Sequence, residues 1–256
     1  MDPSYTYEGS ETTQVNRMAT TAAIVSIGDE LLAGDVENTN ASWLGTRLTE
    51  FGIDVREIRV VPDEAPTIET TVSDLSQTHT LVLTTGGLGS TPDDITIEAV
   101  ADALGLPLEP NSEAREHVEA AVTEIREDHP DFRHDIETAA RYPASAEIIP
   151  NHVGIAPGCI CGNVYVLPGI PAEMKAVFEH VANGLEGSIT SQTLYTETPE
   201  SHLNTVLSEV SERFDARIGC YPTGELKRIR IVGEEETAVE DATAWLVRHP
   251  NIRRDV

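Results

Sequence analysis

Lysine, cysteine and aromatic residues are all scarce in this 256-residue chain, and no long hydrophobic run interrupts it. No apolar stretch approaches the roughly 18 residues that a helical membrane span requires, so no membrane partner is expected. The three cysteines, Cys159, Cys161 and Cys220, are too few and too unevenly spaced for a zinc site or a disulfide framework. Cys159 and Cys161 alternate with Ile160 as strand residues do, which predicts two small core groups on one face. No secretory signal is evident, so a cytoplasmic location is expected. Lys175 and Lys227 are the only lysines among 17 basic residues, which face 44 acidic ones and leave a net charge of −27. That balance argues against nucleic acid or an acidic membrane as the main partner. It suits a halophilic cytosol, where salt weakens self-repulsion.

What is present is a regular alternation of strand and helix patterns. Residues 1–20 are polar and without period, which predicts a disordered tail, with Met18 as a candidate initiator. Ala22 to Ile27 reads as a strand, and Asn38 or Thr39 can cap a helix whose apolar positions are Trp43, Leu44, Leu48 and Phe51. Ile53 to Val61 reads as a second strand, followed by a helix through Ile68, Val72 and Leu75. A third strand, Leu81 to Thr85, precedes a helix that ends near Gly105. Three strand–helix units in a row imply a parallel sheet. Further helices are expected over Ser112 to Asp128, Phe132 to Arg141 and after Pro171, with a hairpin of Cys159–Cys161 and Val164–Leu167 around Gly162-Asn163. Gly184 to Ser191 reads as a linker. Beyond it a β-α-β-β-α order suggests a small two-layer α+β domain over residues 192–256, behind a larger domain over 21–186.

The segment Gly86-Gly87-Leu88-Gly89-Ser90-Thr91-Pro92-Asp93-Asp94 carries the chemistry. Its glycines let backbone approach a ligand, and Thr91, Pro92 and Asp94 read as a helix cap, first residue and capping box. Strand, glycine turn and helix N-terminus together make an anion site. The segment has no Gly-Lys-Ser/Thr and lacks the third glycine of the dinucleotide fingerprint. The alternative is a turn that merely ends a strand, with Asp93 and Asp94 capping a helix.

In open parallel sheets, ligands sit at the carboxyl ends of strands. Loops starting at Gly28, Pro62, Gly86 and Pro168 all follow strands, so a common crevice is expected. It would hold the phosphate of a small molecule on the turn residues, with Gly28, Pro168 and Gly169 beside them. Asp29, Glu30, Asp63 and Asp94 would bring carboxylates to the same place. Carboxylates repel phosphate unless a cation intervenes, so Mg²⁺ or a similar divalent ion is expected on Asp63 and Asp94, with Asp29 or Glu30 positioning water. His79, His152 and His180 show no metal-ligand spacing and read as surface residues.

Five motifs in order, Ser26-Ile27-Gly28-Asp29-Glu30-Leu31, Asn38-Thr39-Asn40, Val61-Pro62-Asp63-Glu64, Thr85 to Thr96 and Leu167-Pro168-Gly169-Ile170-Pro171-Ala172-Glu173-Met174, resemble the amino-terminal domain of the CinA proteins. That domain belongs to the MoaB/Mog-like molybdopterin-binding superfamily. The resemblance implies a three-layer α/β/α fold with a mostly parallel sheet, followed by a small KH-like α+β module, and a homo-oligomer. It implies that the glycine turn and the Pro168-Gly169 loop hold a pterin phosphate or nucleotide. It further implies metal-dependent hydrolysis of ADP-ribose, as credited to CinA proteins, or molybdopterin binding or adenylyl transfer in molybdenum-cofactor synthesis. A non-catalytic binding module is the third reading. No counterpart of the CinA deamidase domain is expected in these 256 residues. Two departures stand out: Ser90 replaces a usual proline, and Gly162-Asn163 replaces a glycine–serine pair of the adenylyl-transferring relatives, which counts against pterin adenylylation.

The acidic excess generates the first prediction. Circular dichroism of the purified chain should lose its folded signal as salt is dialysed from molar to millimolar concentration; an unchanged spectrum would refute the habitat reading.

Overall fold

The computed structural model describes residues 20–224 and 226–254. The expected tail before Thr20 and the candidate initiator Met18 lie outside the described residues.

The first strand, β1 (Thr21–Ile27), has no polar face: Ala22, Ala23, Ile24 and Val25 are all fully buried. Such a strand must be covered on both sides, which is the mark of a central parallel strand. A one-turn helix, α1 (Asp29–Ala33), follows inside the stretch expected to be loop. Next come α2 (Thr39–Glu50), β2 (Asp54–Val61), α3 (Ala65–Thr78) and β3 (Leu81–Thr85). Asn38 caps α2 as anticipated, its side chain accepting from the Ala41 amide.

The helix after the glycine turn, α4 (Thr96–Ala103), starts later than the capping-box pattern predicts. The pattern is used differently. Asp94 Oδ2 accepts from the Thr91 amide at 2.8 Å and hydroxyl at 2.6 Å, which closes residues 91–94 into a separate turn. The first helical amide, that of Thr96, then donates to Gly87 O at 3.2 Å.

A short strand, β4 (Leu108–Pro110), precedes α5 (Ser112–Asp128), the one-turn α6 (Ile136–Ala139) and β5 (Arg141–Pro143). The expected helix over Phe132–Arg141 thus shrinks to four residues. Asp135 caps it late, and Arg141–Pro143 pairs instead with β4 in an antiparallel ribbon. The domain finishes with β6 (Glu147–Ile149), the hairpin β7 (Gly158–Cys161) and β8 (Val164–Leu167), and α7 (Pro171–Ala182). Gly162 turns the hairpin with φ +61°, and Cys159 and Cys161 are both buried with their sulfurs 3.9 Å apart.

The six-stranded sheet runs β2-β1-β3-β8-β7-β6, parallel from β2 to β8 and antiparallel beyond. Alternate residues of β1 serve two cores. Ala23, Val25 and Ile27 meet α3, α4 and α5, while Ala22 and Ile24 meet α2 and α7. This is the expected three-layer α/β/α architecture.

Residues expected to be a free linker are instead tied by backbone hydrogen bonds: Gly187 N to Phe51 O and Ile189 N to Gly52 O, both 2.8 Å. The second domain comprises β9 (Thr190–Thr196), α8 (Glu200–Arg213), β10 (Arg217–Thr223), β11 (Leu226–Gly233), α9 (Glu236–Leu246) and β12 (Ile252–Arg253). Its antiparallel sheet, β10-β11-β9-β12, buries Leu194, Ile229 and Ile231 against α8 and α9. Among the described residues, no helix is long and apolar enough to cross a membrane.

Candidate functional site

Parallel pairing of β1, β3 and β8 brings the loops after all three strands to one end of the sheet. They touch through glycines. A Cβ on Gly86 would stand 2.2 Å from Ile27 O, and one on Gly169 would stand 3.1 Å from the Gly86 Cα. Gly86 also has φ +117°, which L side chains rarely adopt. Side chains then tie the loops together. Asn40 Nδ2 donates to Thr85 Oγ1 at 3.0 Å and to Gly169 O at 2.7 Å, while Thr85 Oγ1 donates to Pro168 O at 2.7 Å.

These loops open into a cleft of about 1200 Å³. Of the residues predicted from sequence, Gly28, Glu30, Asp63, Asp94, Pro168, Gly169 and residues 86–90 line it. Asp29 and Thr91 do not. Asp29 contributes its amide, which donates to Asp63 Oδ2 at 2.9 Å, and Thr91 serves Asp94. Of the two acids expected to position water, only Glu30 lines the cleft. Pro62-Asp63 arrives as expected, because Gly28 N bonds Val61 O and draws the end of β2 to the end of β1.

The anion site is wider than the expected one. The first amide of α4 donates to Gly87 O, while those of Ile97 and Glu98, both of which line the cleft, meet no protein acceptor among the described residues, so donors of the turn add to those of the helix N-terminus. Among the described residues, the amides of Gly87, Leu88, Gly89 and Ser90 meet no protein acceptor. Unpaired amides converging on a cleft form an anion-binding nest.

The side-chain charge there is negative. Asp63 is half-buried, and its carboxyl is raised above the ordinary value first by burial and then by Asp29, Glu30 and Asp93, against the pull of the Asp29 amide. Asp93 is held below the usual range by hydrogen bonding within the 91–94 turn. Arg141 is the one Arg or Lys among the described lining residues, and its guanidinium donates to Leu108 O at 3.0 Å.

The expected divalent ion can be tested against this donor set. Among the described residues, no group of three or more His, Cys, Asp or Glu side chains could enclose a metal. The chemistry nevertheless fits a hard cation: the nearby donors are oxygens, Asp63 has negative neighbours, and Asp94 Oδ1 has no hydrogen-bond partner among the described residues. Such an ion would complete its shell with water and ligand phosphate, as Mg²⁺ does on one or two carboxylates.

Three contributors were not found from sequence as site residues. Asn40 lies within a quoted motif, yet its clasp spans 129 residues to Gly169. Glu173 accepts from Asn151 Nδ2 at 2.8 Å, which holds the loop after β6 against the start of α7. Arg141 reaches the cleft through the β4–β5 ribbon. Asn163 lies in the β7–β8 turn, where its amide donates to Ser76 O and His79 O, and does not line the cleft. His152 and His180 are exposed, as anticipated.

Residues 23–186 match the family described as "Probable molybdopterin binding domain", and residues 188–252 match one described as "FAD synthase, middle domain". A protein of Archaeoglobus fulgidus is 33% identical over 227 residues, covering 86% of this chain and 93% of the relative. A "CinA-like protein" of Citrifermentans bemidjiense is 41% identical over 162 residues, which are 61% of this chain and 38% of the relative. The crystal structure of the protein CinA from Thermoplasma acidophilum, described as of unknown function, superposes with a TM-score of 0.58 at 31% identity. It covers 65% of this chain and 99% of that one.

Two outcomes follow from the geometry. Gly86→Ala should lower stability by about 3 kcal/mol or more, measured by denaturant unfolding, because a strained φ and a backbone clash add. Asp63→Asn should raise the melting temperature at pH 7. An aspartate raised in the folded state costs stability as pH climbs from its ordinary value of 3.8 through the raised one, so the gain should vanish below pH 3.8.

Proposed function

This chain belongs to the molybdopterin-binding-domain family, with the CinA-like proteins among its relatives, and on that footing we propose that it hydrolyses the pyrophosphate of ADP-ribose or a related nucleotide. The carrying observation is the row of unpartnered amides at Gly87, Leu88, Gly89 and Ser90 beside the half-buried, acid-surrounded Asp63. Amides supply positive potential that no pH change removes, so they suit a phosphate that must be gripped in a cleft otherwise lined by acids.

Asp63 and Asp94 would hold a hard divalent ion, which would supply Lewis-acid stabilisation of negative charge at phosphate. Glu30, folded back over Gly28 and lining the cleft, would orient a water for attack on phosphorus. The bond from phosphorus to the bridging oxygen breaks, and AMP and ribose 5-phosphate leave. Asn40 and Thr85 are positioning residues, since they hold the Pro168-Gly169 loop against the glycine turn. The cleft is large enough for both halves of a dinucleotide-sized ligand.

Incubation of the pure protein with ADP-ribose and Mg²⁺ in high salt should release AMP. Asp94→Ala and the fold-preserving Asp63→Asn should each lower the rate roughly 100-fold or more. Absence of turnover in wild type, or undiminished turnover in both variants, would remove the hydrolase reading. A pterin co-purifying with an inactive protein would replace it with molybdopterin binding through the same amides.

A further inference from the structure

In a chain of 44 acidic and 17 basic residues, one face of the second-domain sheet gathers arginines. Arg228 and Arg230 of β11 form no ion pair among the described residues. They are two residues apart on a strand, so both project to the face opposite Ile229 and Ile231, which are buried under α8 and α9. Arg217 shares that face. Arg230 is held below the usual arginine range by burial first and then by Arg228 and Arg217, with Tyr221 and Asp54 acting the other way.

The same face carries two tyrosine rings, Tyr221 exposed and Tyr195 half-buried. Strand register places Tyr221, Arg228, Tyr195 and Arg253 side by side across β10, β11, β9 and β12. Tyr221 is 47% exposed, so its ring is available. The ring lies flat along the sheet, because a Cβ on Gly219 would stand 2.4 Å from its hydroxyl oxygen. The Arg228 guanidinium sits 5.8 Å from the centre of that ring. A flat ring beside a guanidinium is equipment for stacking a heterocycle while neutralising its phosphate.

We propose that this open face of the second-domain sheet is a second ligand site, distinct from the cleft, and that it takes a nucleoside phosphate through Tyr221, Arg228 and Arg230. Charge complementarity selects an anion, and the adjoining rings select one that bears a base. Acids bound the positive ground: Asp54 pairs with Arg217 at 2.8 Å on one side, and Glu197 with Arg253 at 3.3 Å on the other. Four strands span roughly 14 Å. A ligand of one to three charges fits between those limits, whereas a longer polyanion would run onto the surface of a chain with net charge −27.

The test titrates the full chain with ADP in high salt and chelator, following the ring resonances of Tyr195 and Tyr221 by NMR. Saturable shifts at both rings are expected. They should weaken roughly ten-fold or more in R228Q/R230Q and in Y221S, and persist in D63N, whose lesion is confined to the cleft. Circular dichroism checks that each variant is folded. Unmoved rings in wild type, or unchanged affinity in folded R228Q/R230Q and Y221S, overturn the proposal. Ribose 5-phosphate binding this face as tightly as ADP overturns the stacking role. A short single-stranded RNA binding ten-fold tighter than ADP overturns the choice of a small ligand.

Discussion

Backbone-to-backbone contact among three loops is the constraint on which the rest of the site depends. The ends of β1, β3 and β8 approach so closely that Gly86 has Ile27 O on one side and Gly169 on the other. No side chain fits at either glycine position without displacing main chain. Because the strands are parallel, all three loops open the same way, and the cleft is the space they leave. The Asn40–Thr85–Pro168 hydrogen bonds then convert proximity into fixed geometry. Remove the glycine contact and the amides of residues 87–90 no longer share a wall with Asp63.

Electrostatics divides the molecule into two regimes. In the cleft, positive potential comes from main-chain dipoles, while side chains supply carboxylates. That division lets one site present anion donors and potential cation ligands together, without the two cancelling in an ion pair. In the second domain the logic is reversed. On one sheet face guanidiniums supply the charge, and the Tyr221 ring among them lies over Gly219. A net charge of −27 would suggest a uniformly acidic surface, yet the basic residues are not evenly spread.

Local patterns were readable where local forces decide. Fully apolar β1, the Asn38 cap, the Gly162 turn and the helical spacing of α5 each follow from neighbours in sequence, and each is present. Thr91, Pro92 and Asp94 were misread for a specific reason. The same three-residue spacing that makes a capping box also closes an isolated turn, and the distant demand of Gly87 O for the Thr96 amide decides between them. Phe132–Arg141 was misread because Arg141 pairs with a strand some thirty residues earlier. The glycine turn and Asp63 were legible in the site, since their residue types announce their chemistry. Asn40 and Arg141 were not, because their roles depend on partners that only the folded chain brings near.

The placement of β8 has a temporal consequence. It pairs with β3, yet the two are about eighty residues apart in the chain, as the bond from Thr85 to Pro168 illustrates. A nascent chain leaving the ribosome therefore carries β3 with one flank unpaired until residues 164–167 emerge. The third wall of the cleft arrives with them. The cleft is thus complete only in molecules whose synthesis has passed that point.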